Sequence, residues 1–146
     1  MRLDPVEVQL LSTLLEDLAG VYDEVEQGVN GAVRERLFPA AHRDDPVIAA
    51  EHRELTEEGL LHGRTDRLGQ CRADLALGPA DLAVDDDAAD RWLTVVNDLR
   101  LSIGTVIGIT ADQDAELDTD DPLIEAKLTY HWLTAMQDSL VRAVMD

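Results

Sequence analysis

Near the start of the chain, apolar residues recur at spacings of three and four: Val8, Leu11, Leu15, Leu18, Tyr22 and Val25, with Leu10, Leu14 and Val21 widening the stripe. That period predicts a long amphipathic α-helix with a broad buried face. Its start lies in Asp4-Pro5-Val6-Glu7, which supplies an N-cap carboxylate, a proline whose missing N–H costs nothing at the first helical position, and a glutamate at the third. Gly20, inside the helix, allows a close helix neighbour or a bend. Gly28, Asn30 and Gly31 end it. A short helical turn over 32–38 stops before Pro39, with Phe38 as a plug anchoring the loop to the core.

The start signal recurs at Asp45-Pro46, opening a helix through about Leu55. Thr56, followed by Glu57 and Glu58, could either restart a helix or continue one to Leu77; its capping character favours a break near Thr56. Leu60, Leu61, Leu68, Cys71 and Leu75 are expected to face inward, and Gly78-Pro79 is a stop. Asp85-Asp86-Asp87 then places carboxylates where the macrodipole favours them. The helix that follows carries Trp92, Val95, Val96, Leu99, Ile103, Val106 and Ile107 and is expected to reach about Ile109. Gly104 and Gly108, one turn apart, each cost about 1 kcal/mol relative to Ala, so they predict a close approach by a neighbouring helix. Asp98 and Arg100 just upstream rule against reading this stretch as a membrane span. After an acidic loop over 110–120, Asp121-Pro122 gives a third Asp-Pro start, and Ile124, Leu128, Trp132, Met136, Leu140 and Val144 form the last stripe.

No strand pattern and no internal repeat is read. The expectation is an all-α chain, one domain over residues 1–146, folded as a helical bundle of four to five principal helices. Helices beginning at Pro5, near Asp86 and at Pro122 should supply most of the core. The 146 residues are 45% hydrophobic, enough for a sizeable core, but only 3% aromatic, so Leu, Val, Ile and Ala must do the packing.

Charge changes the functional picture more than the fold. Twelve Lys and Arg against 31 Asp and Glu give a net charge of −19. Nucleic-acid binding draws its general affinity from basic side chains on phosphates, so a direct DNA reader is disfavoured, as is an anionic membrane surface. Residues 1–73 hold 8 basic against 15 acidic residues, net −7, and residues 74–146 hold 4 against 16, net −12. The excess therefore concentrates at helix starts and in the acidic loop, leaving the Arg-bearing first half less acidic. Asp4, Glu7, Glu16 and Asp17 interrupt the first apolar stretch, so no signal-peptide core is read and the cytoplasm is the expected location. One cysteine, Cys71, excludes an internal disulfide framework and a thiolate zinc cluster.

Candidate chemistry is sparse. The loop over 112–118 resembles a calcium loop in its alternating carboxylates, but its sixth position is Leu117 rather than Gly and its twelfth Leu123 rather than Glu. Glu54, Glu58 and His62, four apart, would stack on one helix face as a metal-ligand set; a charged outer face with ordinary pairing is the preferred reading of the same spacing. None of His42, His52, His62 and His131 belongs to a Glu-x-x-His or His-Glu-x-x-His pattern. No nucleophile elbow or phosphate-cradling loop is present, so no catalytic residue is assigned, no cofactor is expected, and the chain is read as a non-enzyme. Cys71 has Arg64, Arg67 and Arg72 along its segment, which would favour a thiolate, yet it shares a face with Leu68 and Leu75, which favours an inert core thiol. Asn97, Asp98 and Arg100 stand among dense apolar residues, as either an internal polar cluster fixing helix register or a partner-facing site.

Four blocks add a resemblance: Arg36-Leu37-Phe38-Pro39-Ala40-Ala41, Glu51-His52-Arg53-Glu54-Leu55-Thr56-Glu57, Asn97-Asp98-Leu99-Arg100-Leu101-Ser102-Ile103-Gly104-Thr105 and Trp132-Leu133-Thr134-Ala135-Met136-Gln137-Asp138-Ser139-Leu140-Val141. In this order they resemble an actinobacterial family of small helical proteins named for an oxidative-stress transcriptional regulator, AosR. The resemblance implies a cytosolic regulator acting through a protein partner, a sigma factor or RNA polymerase. The acidic surface would attract a basic face on that partner, and Arg34, Arg36, Arg43 and Arg53 could form a local positive patch, with Asn97, Asp98 and Arg100 as further partner-binding residues. A thiol switch within one chain needs two cysteines, so a redox role for Cys71 would need a second molecule. The other reading is a small metal- or ligand-binding helical protein with no role in transcription. The first helix's apolar face is wider than one neighbour covers, which allows a homodimer, although the acidic charge opposes a like-with-like interface.

Overall fold

The computed structural model describes residues 2–29, 31–38, 46–76, 85–108 and 120–145, with the backbone alone described for 46–58 and 145. Among these residues the chain forms five α-helices and no β-strand: α1 (Pro5–Glu26), α2 (Gly31–Leu37), α3 (Pro46–Ala76), α4 (Asp86–Ile107) and α5 (Ile124–Met145). The all-α expectation holds.

The α1 start is a full capping box. Asp4 accepts from the Glu7 N–H at 2.7 Å and Glu7 Oε1 accepts from the Asp4 N–H at 3.0 Å, while Pro5 occupies the first turn. At the other end Gly28 takes φ +78°, a left-handed conformation open to a residue without Cβ, and the Gly28 and Val29 N–H groups close on the Val25 and Glu24 carbonyls. At α4 the Asp85 carboxylate accepts from the Ala88 N–H at 2.7 Å, with Asp86 and Asp87 in the first turn.

α4 lies at the centre, in contact with each of the other four helices. Its Trp92, Val95, Val96 and Leu99 meet Leu11, Leu15, Leu18, Tyr22 and Val25 of α1, Leu68, Cys71 and Leu75 of α3, and Leu133, Met136 and Leu140 of α5 in one buried cluster. Val33, Leu37 and Phe38 close it beside α2, and Phe38 is the buried plug the sequence predicts.

Several local expectations are corrected. The break near Thr56 does not occur, since α3 runs unbroken from Pro46 to Ala76. Between Pro46 and Thr56 there is no Gly or Pro to stop the helix, and a lone Gly59 costs only about 1 kcal/mol. Gly78-Pro79 lies outside the described residues, as do Asp45 and the acidic loop over 112–118. Gly20 is on the outer face with nothing within 4 Å of where a Cβ would stand, so it serves no close approach. Gly108 ends α4 in the left-handed conformation, φ +77°, its N–H on the Gly104 carbonyl, which makes it a cap rather than a packing glycine. α5 begins at Ile124 rather than Pro122, because the Asp121 carboxylate first accepts from the Leu123 N–H and the Asp121 carbonyl from the Ile124 N–H. Leu60, Val106, Leu128 and Val144, expected inward, are exposed. On α5 the buried face is set by Leu133, Met136 and Leu140, rotated from the stripe the sequence suggests.

Candidate functional site

Polar groups at the α1, α3 and α4 junction form the most deeply buried cluster. Asp98 stands among Val95, Leu99 and Ser102 on the inner face of α4 and is 1% exposed. A carboxylate there requires partners, and three donors converge on it. Arg64 Nη1 of α3 donates to Oδ1 at 2.7 Å and to Oδ2 at 2.9 Å, and the Tyr22 hydroxyl of α1 donates to Oδ2 at 2.5 Å. Ser102 turns its hydroxyl back to the Asp98 carbonyl. The Arg64 guanidinium also lies over the Phe38 ring, 5.1 Å from its centroid, a cation–π contact. One arginine thereby ties the end of α2 to α3, α4 and, through Asp98, α1.

Electrostatics follow from burial. Desolvation pushes the Asp98 carboxyl above the usual carboxylate range, against the opposing pull of Arg64 and the Tyr22 hydrogen bond. Burial, together with the neighbouring Asp98 charge, holds the Tyr22 hydroxyl far above its ordinary value, so it stays a donor.

A second cluster sits one to two turns toward the start of α4. Asp74 accepts from Arg91 Nε and Nη2 at 3.2 and 3.0 Å and from Trp92 Nε1 at 3.0 Å. Cys71 lies beside it with no exposure, and burial first, the Asp74 charge second, push its thiol up to about 12. Of the two readings of Cys71, the fold builds the inert core thiol: the arginine on the same turn, Arg72, is exposed, and the charge that acts most on the thiol is the Asp74 carboxylate. Along this junction runs an open groove of about 530 Å³ lined by Arg67, Gln70, Asp74, Asp87, Asp90 and Arg91.

A third cluster joins α4 to α5. Arg100 Nε donates to Thr134 at 3.1 Å, Nη1 to Gln137 at 2.6 Å and Nη2 to Tyr130 at 3.3 Å, with the guanidinium over the Tyr130 ring. Asn97 is half-buried on α4. Asp98 and Arg100, weighed as partner-facing, thus spend their side chains inside the fold, fixing the register of α4 against three helices.

The other sequence candidates are dispersed. Arg34 and Arg36 are half-buried on α2. Arg43 lies outside the described residues, and the side chains of Arg53, Glu54 and Glu58 do as well, although unbroken α3 keeps Glu58 and His62 one turn apart. His62 is exposed and 3.6 Å from Asp66. Among the described residues no three His, Cys, Asp or Glu side chains gather as a metal site, and no buried side-chain polar atom lacks a partner. Sequence reading missed Tyr22, Arg64, Asp74 and the hydrogen bond from Trp132 Nε1 to Glu7 Oε2 at 2.9 Å. The available signal was a tyrosine inside an apolar stripe and an aspartate in the otherwise apolar run around Val95, Val96 and Leu99, each of which needs a polar partner when buried.

Comparison with known proteins adds the following. A family model described as a domain of unknown function (DUF2017) matches residues 1–144. A Mycobacterium leprae protein provisionally named oxidative stress regulator AosR is 29% identical over 112 residues, which cover 77% of this chain and 52% of the relative. The proteins named oxidative stress regulator AosR in Mycobacterium bovis and Mycobacterium tuberculosis are 26% identical over 144 residues, covering 90% of this chain and 66% of theirs. The match thus spans between about half and two thirds of these relatives' length. No solved structure matches the chain.

Proposed function

The chain belongs to the DUF2017 family, and from that premise we propose that it is a non-enzymatic regulatory protein of the oxidative-stress response that acts by contact with a protein partner. The observation that carries this reading is the match across 90% of the chain to relatives named oxidative stress regulator. The partner class follows from charge. A surface carrying a net −19 repels phosphate backbones and attracts a basic protein face, as a sigma factor or an RNA polymerase subunit would present. With Asp98 and Arg100 engaged inside the fold, the contact falls to the outer surface. Arg34 and Arg36 of α2, with Arg43 and Arg53 of the following segment, offer the local positive contribution.

The test is direct binding of the purified full chain to purified sigma factors and core polymerase, followed by reversal of Arg34 and Arg36 to Glu. Saturable binding weakened by the reversals supports the reading. Binding to a DNA duplex that survives high salt, or no binding to any component of the transcription machinery, overturns it.

A further inference from the structure

α5 presents two rows of side chains: the core buries one of them and reaches the other only at Trp132. Leu133, Met136 and Leu140 are buried against α4. The other face is a run of six residues, Glu125, Leu128, Trp132, Ala135, Ser139 and Arg142, spaced three and four apart and therefore aligned along one side of the helix. Leu128 is 51% exposed, Trp132 is half-buried with its inner edge against the core and its indole N–H on Glu7 of α1, and the remaining four are exposed. Among the described residues neither Glu125 nor Arg142 makes an ion pair.

We propose that this face binds a second copy of the chain, α5 against α5 in an antiparallel pair about a two-fold axis. Self-complementarity in one register argues for it. With the axis between positions 133 and 134, Glu125 meets the partner's Arg142, Leu128 meets the partner's Ser139, and Trp132 meets the partner's Ala135. Each contact occurs twice by symmetry. Opposite charges meet at both ends, and in the middle every large side chain meets a small one, which lets the helices approach. Sliding the register by a heptad either way separates both Glu125 and Arg142 from their counterparts.

Charge distribution selects the same helix. α1 carries Glu7, Glu16, Asp17, Asp23, Glu24 and Glu26 and no basic residue, whereas α5 balances Glu125 and Asp138 with Lys127 and Arg142. On a chain of net −19, α5 is a helix along which two copies can meet without summed repulsion. The broad α1 stripe, the earlier candidate for self-association, is consumed by contacts with α2, α3 and α4. A face of 18 residues, about 27 Å long and about 10 Å wide, offers roughly 270 Å² per copy, well below the roughly 800 Å² per partner of a standard stable interface, so the dimer is a weak one that dissociates on dilution. This inference stands independently of the regulatory reading.

Sedimentation equilibrium of the full chain, from low micromolar to near-millimolar concentration at physiological ionic strength, tests it. The expected result is a monomer–dimer equilibrium in which Arg142→Glu or Glu125→Arg alone raises the dissociation constant by about tenfold or more, while the double exchange restores it to within about threefold. Both side chains are exposed, and unchanged far-ultraviolet circular dichroism verifies that the variants fold. A chain that stays monomeric throughout, a dimer indifferent to the single reversals, or a double exchange that fails to restore association would each overturn the proposal.

Discussion

Arg64 on α3 and Asp98 on α4 form a buried ion pair with Nη1 donating at 2.7 and 2.9 Å to the two carboxylate oxygens, the aspartate 1% and the arginine 21% exposed at the side chain. Breaking such a pair on one side leaves an uncompensated charge in the interior. Asp98→Ala is therefore expected to cost about 3–5 kcal/mol in urea unfolding, and Tyr22→Phe, which removes one neutral donor to a charged acceptor, about 1.5–3 kcal/mol. A double-mutant cycle between Arg64→Met and Asp98→Ala should give a coupling well above the values of exposed pairs; a coupling near zero would refute the pair's importance.

Cys71 sets an alkaline limit on stability. The fold holds its proton more tightly than the unfolded chain, whose thiol titrates near 8.5, so the contribution is fully present below that value. It is lost as pH rises toward about 12. Between those limits stability should fall by up to about 1.4 kcal/mol per pH unit, and Cys71→Ala should flatten this limb in a series of thermal melts. Tyr22, shifted in the same direction by burial, leaves a residual slope above about pH 10.

The same burial governs reactivity. Iodoacetamide should modify the native thiol at pH 8 only through opening of the fold, far more slowly than it modifies the urea-unfolded chain. Equal rates in the two states would contradict the enclosure of Cys71 between α3 and α4.

Glu7 serves two helices at once, closing the α1 capping box with Oε1 and accepting from Trp132 with Oε2. Glu7→Ala should cost more than a cap alone, about 1–3 kcal/mol in all, and shift the Trp132 fluorescence. Asp4→Ala, which removes only the cap, should cost about 1 kcal/mol and leave that emission in place.

Gly108 ends α4 at φ +77° with open space around it. Gly108→Ala should therefore destabilise through backbone conformation, by about 1 kcal/mol in thermal unfolding, and Gly20→Ala, at an exposed helical site, should stabilise by about 0.5–1 kcal/mol. Opposite signs for two glycine replacements would separate cap from surface.

Features legible in the string of residues are local. The Asp4-Pro5 and Asp85 starts, the Gly28 stop and the periodic stripes of α1 and α4 are readable because capping and amphipathicity involve neighbours within a turn or two, whose geometry the helix fixes. The match of four separated blocks to a family is likewise a property of the string. Tertiary structure alone decided which charges became structural. Asp98 and Arg64 lie 34 positions apart and Tyr22 and Asp98 lie 76 apart, so no periodicity links them. Only the packing of α1, α3 and α4 brings them within hydrogen-bond distance. The same packing decided that α5 buries Leu133 rather than Leu128. An apolar residue is driven inward only where a neighbour arrives to cover it, and α4 covers one side of that helix.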